Sequence, residues 1–149
     1  MAIDLNKRYQ TMIVLWSALL MSVVMYFVFL LVAAPELSNQ PAGSSRSPLV
    51  VGLTALGTLF VILSVPVKRS LLKRSVDQQD ISLVQKGMIV ACAMCEVAAL
   101  LGFVERFVMG YREYYLLFLV AAAGIASHFP RRSQLEAASY KSGNPWAVN

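Results

Sequence analysis

Four apolar stretches separated by short polar or basic hinges make up this chain: residues 12–34, 48–67, 87–108 and 114–129. The first is 23 residues long and the second 20, and neither carries a charge. A helix rises about 1.5 Å per residue and a hydrocarbon core is about 30 Å thick, so both predict membrane-crossing helices. The third, GMIVACAMCEVAALLGFVERFV, is equally long but places one carboxylate, Glu96, at its middle. The fourth, YYLLFLVAAAGIASHF, follows almost at once, so the third and fourth helices must be antiparallel neighbours across a tight turn near Gly110.

The hinges agree with that division. Residues 35–47, PELSNQPAGSSRS, have no periodic apolar pattern and read as a solvated connector. Pro66 marks the exit of the second helix. Residues 68–86 mix Lys68, Arg69, Lys73, Arg74 and Lys86 with Leu71, Leu72 and Val76, a pattern expected to lie along lipid headgroups. Asp77 or Asp80 is placed to cap the third helix. Pro130 stops the fourth helix, and Arg131 and Arg132 anchor it. Residues 133–149 read as a mobile cytoplasmic tail, with one or two helical turns where Ser133 and Glu136 form a capping-box pattern. The start of the chain is not read as a cleaved signal, because its apolar run far exceeds the roughly 7–15 residues of a signal core.

Composition fixes the class. Hydrophobic residues are 58% of the 149 and charged residues 14%, against about half and a quarter in soluble domains. The expectation is an all-α integral membrane protein with four transmembrane helices in a single domain. With both termini cytoplasmic, ten of the 13 Lys and Arg lie inside, and only Arg46, Arg106 and Arg112 lie outside. The positive-inside rule selects that orientation. The formal charge of +5 is thus grouped at helix ends, where it meets anionic lipid, and nucleic acid is not an expected partner.

The chemistry centres on Glu96, because an ionisable side chain inside a membrane is costly unless something compensates it. Beside it, Met88, Cys92, Cys95, Ala99 and Gly102 recur at steps of four and three. Such stripes of small residues let helix backbones approach closely. The fourth helix carries a matching stripe, Leu117, Ala121, Gly124 and His128. Folding the hairpin about Gly110 sets Glu96 near Ile125, and helical side chains lean towards their own N-terminus, so Glu96 and His128 lean together. A hydrogen bond between them is one way to hold both; a neutral Glu96 bonded to Ser127, a backbone carbonyl or a partner protein is the other. Cys92 and Cys95 form a C-x-x-C without an accessible helix N-terminus or further ligands, and read as small packing residues rather than a metal or redox pair.

The segment CEVAALLGFVERFV, residues 95–108, resembles the carboxylate helix of rotor-ring ATP synthase c subunits, a proteolipid family. The resemblance implies that Glu96 is an ion-binding carboxylate. The second helix departs from that family, having only Gly52 and Gly57 where a glycine ladder stands, and the first and fourth helices are extra. As a whole the chain resembles small four-helix inner-membrane proteins of bacteria that end the fourth span in Phe-Pro-Arg, as residues 129–131 do.

No Ser/His/Asp set, phosphate-binding glycine loop or metal-spaced cluster is present, so neither an enzyme nor a cofactor is expected. The sequence points to an accessory or assembly component of a membrane complex, acting through helix packing on other subunits or as a homo-oligomer. The alternative is an ion-coupling proteolipid or transport-complex subunit using Glu96.

Overall fold

A computed structural model describes residues 5–37, 48–111 and 113–139, the side chains of 34–37 excepted. All regular structure in it is helical: α1 (Leu5–Leu37), α2 (Pro48–Gln78), α3 (Ile81–Met109), α4 (Tyr115–Ser127) and α5 (Arg132–Ser139). Three of these, α1, α2 and α3, are long and apolar enough to cross a membrane. α4 is apolar but has 13 residues, a length of about 20 Å at 1.5 Å per residue. Most of the connector 35–47, Arg112 and residues 140–149 lie outside the described residues.

α1, α2 and α3 overrun their apolar stretches. α1 continues through Pro35 to Leu37, so that proline does not close it. α2 runs through Pro66 for another three turns, with the ring on the helix's exposed side. Residues 68–86 therefore do not lie as a separate segment along headgroups. They extend α2 and α3 into one continuous antiparallel hairpin with a turn of two residues.

That hairpin is specified by a heptad pattern hidden under polar letters. Along α3, Ile81, Val84, Met88, Ala91, Cys95, Ala98, Gly102 and Glu105 are all buried, at alternating steps of three and four. Along α2, Val50, Gly57, Ser64, Lys68 and Ser75 are buried at steps of seven or four, with Thr54, Val61 and Leu71 half-buried between them. A repeat of 3.5 keeps one seam facing the partner over the whole length. Its small members allow close approach: a Cβ on Gly87 would lie 3.1 Å from Leu71 Cβ, and one on Gly57 3.5 Å from the Ala98 Cα.

The turn is tied at both sides. Gln79 adopts the left-handed region with φ 57°. The Asp80 amide donates to the Ser75 carbonyl at 3.1 Å, and the Ser75 hydroxyl donates to the Asp80 carbonyl at 2.8 Å. Asp80 then caps α3, accepting from the Ser82 amide and the Ser82 hydroxyl at 2.8 Å each. Those bonds, the side-chain one first, hold the Asp80 carboxyl below its usual range. A carboxyl depressed on folding stabilises the fold above its unfolded pKa, and the contribution disappears as pH falls through the folded value. Acidification into that range should thus lower the protection of the Ser82 and Leu83 amides against hydrogen exchange, once the intrinsic pH dependence of exchange is divided out, and Asp80→Asn should flatten the response. Equal pH dependence in parent and variant would show that the cap does not titrate.

At its other end α3 stops at Gly110, φ 66°, in a left-handed cap: Gly110 N donates to Arg106 O at 3.1 Å and Tyr111 N to Glu105 O at 3.0 Å. The chain reverses into α4, which returns along α3. Gly102 makes the approach possible, since a Cβ there would meet the Tyr114 carbonyl oxygen at 3.1 Å.

At the Asp80 end of the bundle, Met12, Ile81, Val84, Leu135 and Ala138 belong to the buried core. The tail expectation changes accordingly. Residues 132–139 are a helix docked on α1, α2 and α3, with Leu135 and Ala138 each 1% exposed. The expected Ser133 capping box is not used, because α5 starts at Arg132, whose Nε binds Glu136 Oε1 at 3.0 Å.

Candidate functional site

Several polar side chains inside the apolar body bond a neighbouring helix. Glu96 leaves α3 towards α1, where Oε1 accepts from the Ser22 hydroxyl at 2.5 Å. It does not meet His128. Cys95 takes the position facing α4, and one residue further along a helix is a rotation of about 100°, which carries Glu96 round to α1. α1 and α3 run in the same direction, so the same offset that pairs Ser22 with Glu96 stacks Phe29 on Phe103 at 5.9 Å.

His128 ends α4 and bonds α2 instead, its Nε2 lying 2.7 Å from Ser64 Oγ. The direction of that bond follows from the rest of Ser64. Its single hydroxyl proton goes to the Val61 carbonyl at 2.6 Å, which leaves Oγ as acceptor. Two donors fill it: His128 Nε2–H, and the Cys95 thiol at 3.6 Å. The imidazole is thus assigned as the neutral Nε2–H tautomer, and all three bonding capacities of the hydroxyl are used. Lys68, one turn further along α2, is 8% exposed and donates to the His128 carbonyl at 3.2 Å, closing the end of α4. Trp16 of α1 reaches the same turn, donating to the Ile125 carbonyl at 2.8 Å and setting its ring edge-on to Phe129 at 5.1 Å.

A third tie lies nearer Gly110, where Glu105, 1% exposed, accepts from the Thr54 hydroxyl at 2.7 Å. Apolar and small residues separate this pair from the Ser64 group: Gly57, Val61, Ala98 and Gly102. The polar groups form separate ties and not one continuous hydrogen-bonded path.

The six small or thiol residues singled out for packing are all buried, and Gly124 of α4 lies against Cys95 of α3. Cys92, Cys95, Ala99 and Ala121 are each 0% exposed, and Gly102 and Gly124 are buried. Both thiols are free. Among the described residues no group of three His, Cys, Asp or Glu side chains is placed to hold a metal ion.

Sequence reasoning missed Ser22, Thr54, Ser64, Lys68 and Trp16 as bonding partners. A signal existed for two of them: Gly57, Ser64 and Leu71 repeat at seven residues, and Lys68 falls on the same seam.

Neither known families, nor curated proteins, nor solved structures give a match.

Proposed function

We propose that this protein is a four-span component of a bacterial inner membrane, with both termini cytoplasmic, that serves as an accessory or assembly subunit of a membrane complex. The observation that carries the reading is the Ser22 to Glu96 bond. The mid-membrane carboxylate is engaged by the same chain and acts as polar glue between α1 and α3, the common role of such groups between membrane helices. The outer faces of α1 and α2 remain apolar, with Val14, Met21, Val32, Val51 and Ile62 each at least 60% exposed, and they are open to lipid or to neighbouring subunits.

One observation favours the ion-coupling reading as a second possibility: Glu96 is only half-buried, unlike Glu105. Glu96→Gln separates the two, because an amide reproduces the acceptor for Ser22 and removes the titratable proton. Under the packing reading the variant keeps its stability within about 1 kcal/mol. It also assembles with its neighbours as the parent does. Reconstituted Glu96→Gln that assembles normally but loses a pH-gradient-dependent activity of the parent would reverse the choice.

Topology is checked by labelling single cysteines in a chain with Cys92 and Cys95 replaced by alanine. Ser70 lies on the exposed side of α2 near the basic cluster. A cysteine there should react only from the cytoplasmic side, and one at Ser44 only from the opposite side. The reverse pattern would overturn the orientation drawn from the Lys and Arg distribution.

A further inference from the structure

Arg106 is the one buried cation near Gly110 among the described residues, and its charge is poorly met there. It is 9% exposed, its Nε has no hydrogen-bond partner, and Nη1 reaches only the Gly110 carbonyl at 3.4 Å. No carboxylate among the described residues forms an ion pair with it. Glu105 is bonded by Thr54, and Glu113 by the Tyr111 hydroxyl. The remaining contact is the face of Tyr114, whose ring centre lies 5.7 Å from the guanidinium carbon. A guanidinium so far removed from water is expected to have an anion beside it, and the planar fork suits carboxylate or phosphate.

A second feature adjoins it. Between α1 and α4 lies a hollow of about 290 Å³, lined by Val23, Val24, Phe27, Tyr115, Phe118 and Leu119, with Ala122 at its deeper end. Tyr114 joins the two features, its ring centre being 6.3 Å from Tyr115 and 6.2 Å from Phe118. The hollow descends α4 from Tyr115 to Ala122, about 10 Å at 1.5 Å per residue. At its upper end the tyrosines sit where an aromatic belt meets headgroups. A free phosphate answers only the cation, and a hydrocarbon answers only the hollow. A phospholipid answers both, with the charge at belt level and the chain running inward from it.

We propose that the Gly110 end of the bundle holds one phospholipid, its phosphate against the exposed edge of Arg106 and one acyl chain in the hollow between α1 and α4.

The test is native mass spectrometry of the full chain, titrated in detergent with phosphatidylglycerol and with the diacylglycerol of the same chains. The parent should bind phosphatidylglycerol about tenfold more tightly than the headgroup-free lipid. Arg106→Gln should bring the two to within about twofold. Ala122→Phe fills the deep end and should weaken both lipids about fivefold or more while preserving the headgroup preference. Circular dichroism shows whether each variant is folded, and Ala122→Phe decides the matter if Arg106→Gln is not. No headgroup preference in the parent, a preference retained by Arg106→Gln, or unchanged binding in Ala122→Phe would each overturn the proposal. So would saturable binding of inorganic phosphate that displaces the lipid, which would assign the cation to a free anion.

Discussion

Gly124→Val should destabilise the bundle by about 3 kcal/mol, as expected for inserting bulk into a well-packed contact. A Cβ at this position would lie 2.7 Å from Cys95 Sγ and 2.9 Å from Val61 Cγ1. Neither atom is the end of a long, flexible side chain, and Val61 is β-branched, with few rotamers to move into. The collision also involves three helices at once, because Gly124 is on α4, Cys95 on α3 and Val61 on α2. Replacing a mid-helix glycine gains back up to about 1 kcal/mol of helix propensity, too little to offset the clash. Unfolding by SDS titration in mixed micelles measures the difference. Cys95→Ala should recover part of the loss in Gly124→Ala by removing the nearest atom, and Val61 should prevent full recovery. A Gly124→Val protein as stable as the parent would mean that α4 does not pack this closely.

Ser64→Ala should cost about 2 kcal/mol, since it leaves buried donors without an acceptor and removes little volume. His128 Nε2–H loses its partner at 2.7 Å and the Cys95 thiol loses its weaker one at 3.6 Å. Since the penalty comes from the orphaned imidazole, it should shrink when that ring is replaced as well. The pair Ser64→Ala with His128→Phe should therefore be less destabilised than the two single variants added together, by about 1 kcal/mol. Strict additivity would show that His128 finds another partner, and that the ties between α2 and α4 are dispensable.

How legible all this was depends on the element. The buried faces of α3 and α4 could be read directly, because small residues at steps of three and four share one face of a helix whatever it touches. The partner of Glu96 could not. Sequence spacing fixes which residues share a face, but not which helix lies there, and the Cys95 to Glu96 step is enough to change neighbour. Lys68, Ser64 and Ser75 concealed the α2 seam for a different reason: their polarity reads as surface, whereas each is buried and bonded, Ser75 to Asp80 at the turn and Ser64 and Lys68 to His128 at the end of α4. Proline also misled. Pro35 and Pro66 both lie within helices where local preference places an end. α5 was half visible, since its turns were foreseen, but the burial of Leu135 is a tertiary fact.

The two-residue connection at Gln79 and Asp80 bears on how such a chain can change length in evolution. One residue inserted in a single arm between the turn and these ties turns everything beyond it by about 100°, parting Ser64 from His128 or Thr54 from Glu105. Seven residues added to each arm beside that turn keep the Ser64 to His128 and Thr54 to Glu105 pairings and lengthen the hairpin by about 10 Å. Homologues are expected to differ there by matched multiples of seven, or not at all.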